Sequence, residues 1–307
     1  MKISIMLESQ ENLSWDALKK ISGQIDNTRF HGLFLSDHLF SVKGTSESFG
    51  LPVWPAMTAI SIWTHTLKFG PLVNSITFRH PAQVAKMGAS LQILSGGRLE
   101  FGIGAGWYLG EHEMFGVQLP DTKERLKLLE EYIQIIKGLW SVDNFSFEGN
   151  NYRIKNASMN PKPSIKIPLI VGGMASRTIE IATKLGDQWN GYYLEHDKLK
   201  KKLDIIKEME EKYSKSIKKT VMIPFVIGDS NEEISNHLNN CNQVFSNLPT
   251  NIGEWQEMGF LGGTSEEIID QIQKYKDLQI DHIILEHLDI QNDHSIDNLN
   301  ENVLIHI

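Results

Sequence analysis

Short apolar runs alternate with longer amphipathic ones along most of this chain, and that rhythm limits the folds open to it. KISIML at 2–7 reads as a buried strand, and SWDALKKISGQI at 14–25 as a helix capped by Ser14. GLFLSDH at 32–38 is a strand ending in polar residues, and PAMTAISIWT is a helix with Pro55 in its first turn. LKFGPLVNSI, RLEFGIGAG, IPLIVGG, QWNGYYL, VMIPFVIGD and IDHIILEHL read as further strands. Between them lie HPAQVAKMGASLQILSGG, opened by Pro81 and closed by Gly96 and Gly97, and a strongly amphipathic helix capped by Asp121. Later helices are SRTIEIATKLGD, the charged segment 197–217, NEEISNHLNNC, and one whose Thr264–Glu267 start resembles a capping box.

These make about eight strand–helix units of similar weight. Their strands are apolar on both faces, as a parallel sheet covered by helices requires. Eight such units in 307 residues predict a single (β/α)8 TIM barrel domain over 1–307. A doubly wound sheet shares the alternation, but the unit count and the lack of a break into halves favour the barrel. Residues 141–165 interrupt the rhythm and predict an inserted hairpin, FSFEG and NYRI around Gly149–Asn150, followed by a proline-bearing loop. The next convincing helix after RLEFGIGAG begins near 121, and the tail 289–307 is polar and weakly patterned.

Composition narrows the partners. With 30 basic against 38 acidic residues the net charge is -8, and no basic block stands out, which argues against nucleic acid. No apolar run approaches the ~20 residues that span a bilayer, and the N-terminus lacks the apolar core of a signal peptide, so a cytoplasmic protein acting on a small molecule is expected. The lone cysteine, Cys241, can form neither an internal disulfide nor a cysteine-based metal cluster.

In a barrel, function gathers at the carboxyl ends of the strands. Ser36-Asp37-His38, Asn74-Ser75, Gly104-Ala105-Gly106-Trp107, Gly172-Gly173 and Trp189-Asn190 all fall there. GIGAG at 102–106 lacks the spacing and the prompt helix of a dinucleotide fingerprint, and no Gly-Lys-Ser/Thr of a Walker loop follows. Its glycines either let a flat ligand lie against backbone, with Trp107 as a wall, or relieve crowding inside the barrel; the residues leave both readings open. IVGGMASRT at 170–178 is either an ordinary βα turn or a phosphate cradle at a helix start, with Arg177 or Lys166 adding charge. His38 is a candidate acid or base, though adjacent strand residues point to opposite faces, so Asp37 need not be its partner. Glu111-His112-Glu113 cannot all face one ion, no His-Glu-x-x-His pattern exists, and no metal site is expected. His282 and His287 are expected to face different sides, and nucleophilic catalysis has little support.

GLFLSDH, LVNSITFRHPAQVAKMGASLQILSGGRLEFGIGAGW and PLIVGGMASRTIEIATKLGDQWNG together resemble the bacterial luciferase-like monooxygenase superfamily. The similarity runs from residue 1 to about 288, and its most specific part is 79–107, with Arg-His-Pro, Ser-Gly-Gly-Arg and Gly-x-Gly-x-Gly-Trp. The resemblance implies a (β/α)8 barrel binding FMN or its deazaflavin relative, coenzyme F420, and is closest to the F420-dependent branch. It implies that Asp37 and His38 lie beside the cofactor ring, with His38 assisting hydride or proton movement. A non-proline cis peptide between Leu72 and Val73 would support the back of the ring. Asn74 would face the cofactor edge, and Gly106 and Trp107 the substrate side. Gly172, Gly173 and the helix start at Ser176 would hold the cofactor phosphate, leaving GIGAG as barrel wall.

The chain also departs from the family. Its sugar-phosphate dehydrogenases carry an acid where Trp107 stands and a tryptophan where Val42 stands, which argues against that activity and leaves the proton donor open. A deazaflavin carries hydride and reacts poorly with oxygen, whereas FMN in the same barrel could activate oxygen. The leading expectation is therefore hydride transfer between F420 and a small organic substrate. The alternatives are an FMN-dependent monooxygenase fed by a reductase, and a noncatalytic flavin-binding partner subunit. A homodimer is a family expectation.

Overall fold

The structure is a computed structural model describing residues 1–42, 48–193, 195–290, 292 and 294–307. Eight parallel strands form its centre: β1 Lys2–Leu7, β2 Gly32–Leu35, β3 in two pieces Lys68–Pro71 and Asn74–Ser75, β4 Phe101–Gly104, β5 Leu169–Gly172, β6 Gln188–Tyr192, β7 Lys218–Ile227 and β8 His282–Glu286. Each pairs with the next in chain order, the second piece of β3 joining β4. β8 pairs back onto β1, with Met6 opposite Glu286, and closes the ring. The predicted barrel is present, with helices outside it.

Alternation along the strands sorts the side chains. Met6, Phe34, Leu72, Ile170 and Ile284 pack into one cluster inside the barrel. Their strand neighbours Ile5, Leu33, Leu35, Ile283 and Leu285 face outward into the main core, where Leu18, Ile21, Ile60, Val84, Ile133, Ile136 and Ile179 of the helices cover them. At the amino end of the barrel a polar layer replaces the apolar one. His31 bonds Glu100 at 2.8 Å, Gln188 donates to Glu100 at 3.3 Å, and His282 bonds Ser4 at 2.8 Å.

Local signals set several boundaries. Ser14 accepts from Ala17 N at 3.1 Å, Asp121 from Glu124 N at 2.9 Å, and Thr264 with Glu267 forms the full capping box. The helix expected from Pro55 begins earlier, at Val53 behind Pro52, so Pro55 lies in its first turn. The inserted hairpin is Phe145–Glu148 paired antiparallel with Arg153–Ala157. The buried Glu131 carboxylate pins its turn, accepting from the backbone N–H of Asn150, Asn151 and Tyr152 at 2.9, 3.0 and 3.2 Å.

Three segments depart from the sequence reading. Leu109–Phe115 is a helix closed by Gly116 in the left-handed conformation, where the sequence predicts no helix before residue 121. Ile252–Glu257 is a short helix, and Leu261–Gly263 adds a strand beside the far end of β7. The tail forms the helix Leu299–Val303 and its neighbours His294–Asn298 and Leu304–His306. Ile296, Leu299 and Val303 are buried there, a stripe of period three to four diluted by the polar residues between them. No helix among the described residues is long and apolar enough to cross a membrane.

Candidate active site

The carboxyl ends of the strands form the barrel mouth. His38, just past β2, is mostly buried, and its Nδ1 lies 2.8 Å from Glu111 Oε1. The second oxygen of Glu111 accepts from the backbone N–H of Leu39 at 2.8 Å. Burial opposes charge on His38, but the hydrogen bond and charge of Glu111, with the charges of Glu8 and Asp37, outweigh it and raise the imidazole pKa above its ordinary value. The Trp107 ring meets His38 edge-on with centroids 5.8 Å apart, and 62% of Trp107 stays exposed. Tyr108 flanks both rings.

Asp37 points the other way, as strand alternation requires. It is buried and takes a two-pronged bond from Arg79, at 2.6 and 2.9 Å, together with Ser75 N–H at 3.1 Å. This clamp ties β2 to the second piece of β3. Leu72 and Asn74 are buried as well, and the Asn74 amide bonds Trp54 Nε1 at 3.3 Å and Ser75 O at 3.2 Å. The Leu72–Val73 peptide is cis.

Val73 is partly open to the mouth, and the glycines make room for it. A Cβ at Gly104 would fall 2.4 Å from Val73 Cγ2, and one at Gly172 would fall 2.8 Å from Val73 Cγ1. Gly102 is crowded instead by the carbonyl of Pro71, at 2.2 Å. Of the two readings left open for GIGAG, relief of crowding describes Gly102 and Gly104. The outcome is that Val73 sits between the bare backbones of Gly104 and Gly172. Gly106 sits at φ +76°, where a side chain would also press on Ser75 Oγ at 2.7 Å.

The second glycine pair is less open than its sequence suggested. Gly173 N–H donates to Asn190 O at 3.0 Å, and Gly173 O accepts from Trp189 Nε1 at 2.8 Å. Gly173, at φ +136°, therefore contributes shape rather than a spare amide. The amides that remain belong to the start of the helix Ser176–Leu185, which no side chain caps; Ser176 itself is exposed. The cations expected there are occupied. Arg177 pairs with Glu130 and, at 2.6 Å, with Glu180, while Lys166 pairs with Asp187. A phosphate at this helix would rest on backbone N–H groups.

Sequence reasoning missed two features. Glu111 belongs to the Glu111-His112-Glu113 run, which the sequence does not predict to be a site; on the helix Leu109–Phe115 it faces His38, while His112 turns to Thr77 Oγ1 at 2.8 Å and Tyr108 O at 2.7 Å. The Gly116 stop signal after an apolar-framed turn was the clue to that helix. The other feature is a carboxyl in an apolar setting: Glu286 at the end of β8 is buried, and burial, then the nearby charge of Glu8 just past β1, hold its pKa well above the usual range. Gln10 Nε2 donates to Glu8 Oε2 at 2.5 Å, and Ser36 Oγ donates to Gln10 Oε1. His282 and His287 part as expected, His282 to Ser4 inside the barrel and His287 against Phe225. Cys241 is buried, and burial pushes its thiol up to about 12, which removes it as a nucleophile. Among the described residues no group of three or more His, Cys, Asp or Glu could hold a metal ion. An open, largely apolar cavity lined by Trp54, Pro55, Arg79, Gln83 and Met87 lies between two outer helices.

Comparison with known proteins places the chain in a family. The model of the luciferase-like monooxygenase family matches residues 1–260. An F420-dependent glucose-6-phosphate dehydrogenase of Microbacterium testaceum is 32% identical over 161 residues, which cover 52% of this chain and 47% of that protein. An FMNH2-dependent dimethylsulfone monooxygenase of Pseudomonas fluorescens is 32% identical over 155 residues, covering 50% and 42%. The chain thus spans about half the length of these two relatives. Among solved structures, an F420-dependent secondary alcohol dehydrogenase in complex with an F420–acetone adduct superposes with a TM-score of 0.85 at 19% identity, covering 100% of this chain and 99% of that one. At that identity the likeness is one of fold.

Proposed function

The chain belongs to the luciferase-like monooxygenase family, an oxidoreductase fold, and on that premise we propose that it transfers hydride between coenzyme F420 and a small organic substrate at the barrel mouth. The observation that supports this most is His38, fixed by Glu111 beside Trp107 and kept ready to hold a proton. Hydride chemistry on an alcohol or carbonyl needs one proton moved at the substrate oxygen, and an imidazole with a raised pKa suits that task near neutral pH.

The residues fit a flavin-like group. Val73, seated between Gly104 and Gly172, offers an apolar face to the ring, and the uncapped helix start at Ser176 offers amides to a phosphate. A bound deazaflavin supplies the hydride chemistry itself. The protein's share is to seat the ring, to hold the substrate against Trp107, and to place the His38 proton. Trp107 and Val42 set this chain apart from the family's sugar-phosphate dehydrogenases, so we assign the substrate only as small and organic.

A second reading is favoured by the FMNH2-dependent relative, which is as similar as the F420-dependent one. In it the same seat holds FMN, oxygen is the co-substrate, and a separate reductase is the partner. The test is to mix the protein with oxidised F420 and a panel of primary and secondary alcohols and to follow bleaching of the deazaflavin absorbance. Bleaching that His38→Ala slows by a factor of about 100 or more supports the proposal. Equal bleaching by His38→Ala contradicts the role of His38, and neither bleaching of oxidised F420 with any alcohol nor recovery of the absorbance of reduced F420 with any carbonyl compound would favour the FMN reading.

A further inference from the structure

We propose that the substrate is an uncharged alcohol or carbonyl compound carrying an apolar chain or ring, which lies across Trp107 with its oxygen at His38. This rests on the oxidoreductase reading above and names the substrate class that reading leaves open.

Two glycines frame an aromatic pair at the end of β4. Gly106, at φ +76°, turns the chain there, and Trp107 follows it with its side chain mostly exposed. Gly110 makes room for Tyr108: a Cβ at Gly110 would fall 2.9 Å from Tyr108 Cζ, so the phenol folds back over its own helix. The His38 imidazole meets both rings, with centroids 5.8 Å from Trp107 and 6.4 Å from Tyr108, and the two aromatic rings are 5.5 Å apart. The three rings form one corner around the group that handles the proton. Leu39, next to His38 in the chain, and Leu109, next to Tyr108, are exposed as well and continue the corner as an apolar surface. Large apolar side chains gathered in the open mark a binding surface. This one begins at the reacting group itself, which makes the substrate its occupant. An apolar group that extends more than 5.8 Å from an oxygen held at His38 covers the indole.

Charge selects against the other substrate classes. From Leu99 to Thr122 the chain has no lysine or arginine. The charges acting on His38 are the carboxylates of Glu111, Glu8 and Asp37, and Arg79 is held by Asp37 in its two-pronged bond. A phosphate or carboxylate brought to His38 meets that negative field. An ammonium meets carboxylates that already have partners: Glu111 binds His38 and Leu39 N–H, Asp37 binds Arg79 and Ser75 N–H, and Glu8 accepts from Gln10. A neutral apolar group needs no such partner and gains by leaving water for the indole face. The reaction is unchanged: an alcohol gives hydride to oxidised F420 and its hydroxyl proton to His38, and leaves as the carbonyl compound.

Ligand-observed NMR of the full chain without cofactor tests the surface, with ethanol, 1-butanol, 1-hexanol and 1-octanol as probes. Affinity should rise about two- to four-fold per added methylene in the wild type. That slope should flatten in Trp107→Ala and return in Trp107→Phe. Trp107 is mostly exposed, so both variants keep the fold. 1-Octanol should bind about ten-fold more tightly than octanoate or octylammonium, which share its tail. With F420 bound, Trp107→Ala should raise the KM for 1-octanol several-fold more than the KM for ethanol. Octanol bound in the cavity beside Trp54 would be blind to Trp107→Ala. Equal affinities for the four alcohols, the wild-type slope in Trp107→Ala, or tighter binding of octanoate or octylammonium than of 1-octanol overturns the proposal. Loss of self-association in Trp107→Ala with alcohol binding unchanged assigns the surface to a second copy and overturns it too. If neither F420 nor FMN binds, the oxidoreductase reading falls and the substrate role falls with it; the cofactor-free affinities still decide whether the surface takes neutral apolar molecules.

Discussion

The Glu111 carboxylate closes on the end of β2 with both oxygens, one 2.8 Å from His38 Nδ1 and the other 2.8 Å from Leu39 N. One residue thus sets the ring's orientation and the path of the chain that carries it. The folded pKa of His38 is raised, so the contact stabilises the fold fully below the unfolded histidine value of about 6.5 and loses that contribution as pH rises through the folded pKa. Glu111→Gln should lower the His38 pKa in an NMR titration. Glu111→Ala, which strands the Leu39 N–H, should cost about 2 kcal/mol in chemical denaturation.

The Asp37–Arg79 clamp predicts an asymmetric pair of variants. Asp37 is buried, so Arg79→Ala leaves a carboxylate without its partner and should cost about 3 kcal/mol or more. Asp37→Asn keeps the bond from Ser75 N–H and should cost less. Thermal melts of both single variants and the double variant should give a coupling energy of at least about 1 kcal/mol.

Acid should weaken the amino end of the barrel. Burial opposes ionisation of Glu100, but the hydrogen bond and charge of His31 and the charge of Lys2 win, and its pKa drops to about 2. That depression contributes stability above the unfolded pKa of about 4.5 and loses it as pH falls towards 2, on the order of 3 kcal/mol in all. Burial lowers His282 to about 3, so its unfolded form takes up protons first and stability also falls as pH drops below about 6.5. Glu100→Gln should flatten the lower part of a stability-against-pH curve, between about pH 4.5 and pH 2.

Gly104→Ala should be destabilising because of Val73. The new Cβ would lie 2.4 Å from Val73 Cγ2, an overlap that costs about 1–3 kcal/mol. Val73→Ala in the same chain should recover most of the loss in melting temperature. If both variants melt at the wild-type temperature, Val73 does not set the need for glycine.

The barrel was legible because its signals are repeated: eight apolar runs, caps at Ser14, Asp121 and Thr264, and turn residues at Gly149–Asn150. The helix Leu109–Phe115 was hidden by its length, since seven residues carry too little periodicity to stand out beside a glycine-rich strand. With it went the partner of His38, because Glu111 gains its meaning only from a residue 73 positions away. Glu8 and Glu286 were invisible for the same reason, lying at opposite ends of the chain and meeting only where β8 closes onto β1. Arg177 and Lys166 looked available to a phosphate because sequence does not reveal that Glu130, Glu180 and Asp187 already hold them.

The central claim is that this mouth seats a deazaflavin, and equilibrium titration of the purified protein with F420 and with FMN, followed by fluorescence, tests it most directly. The account predicts tight binding of F420 and weak binding of FMN, with F420 affinity reduced when Gly172→Val fills the space beside Val73. Tight binding of FMN alone would contradict it and make oxygen-dependent chemistry the working model.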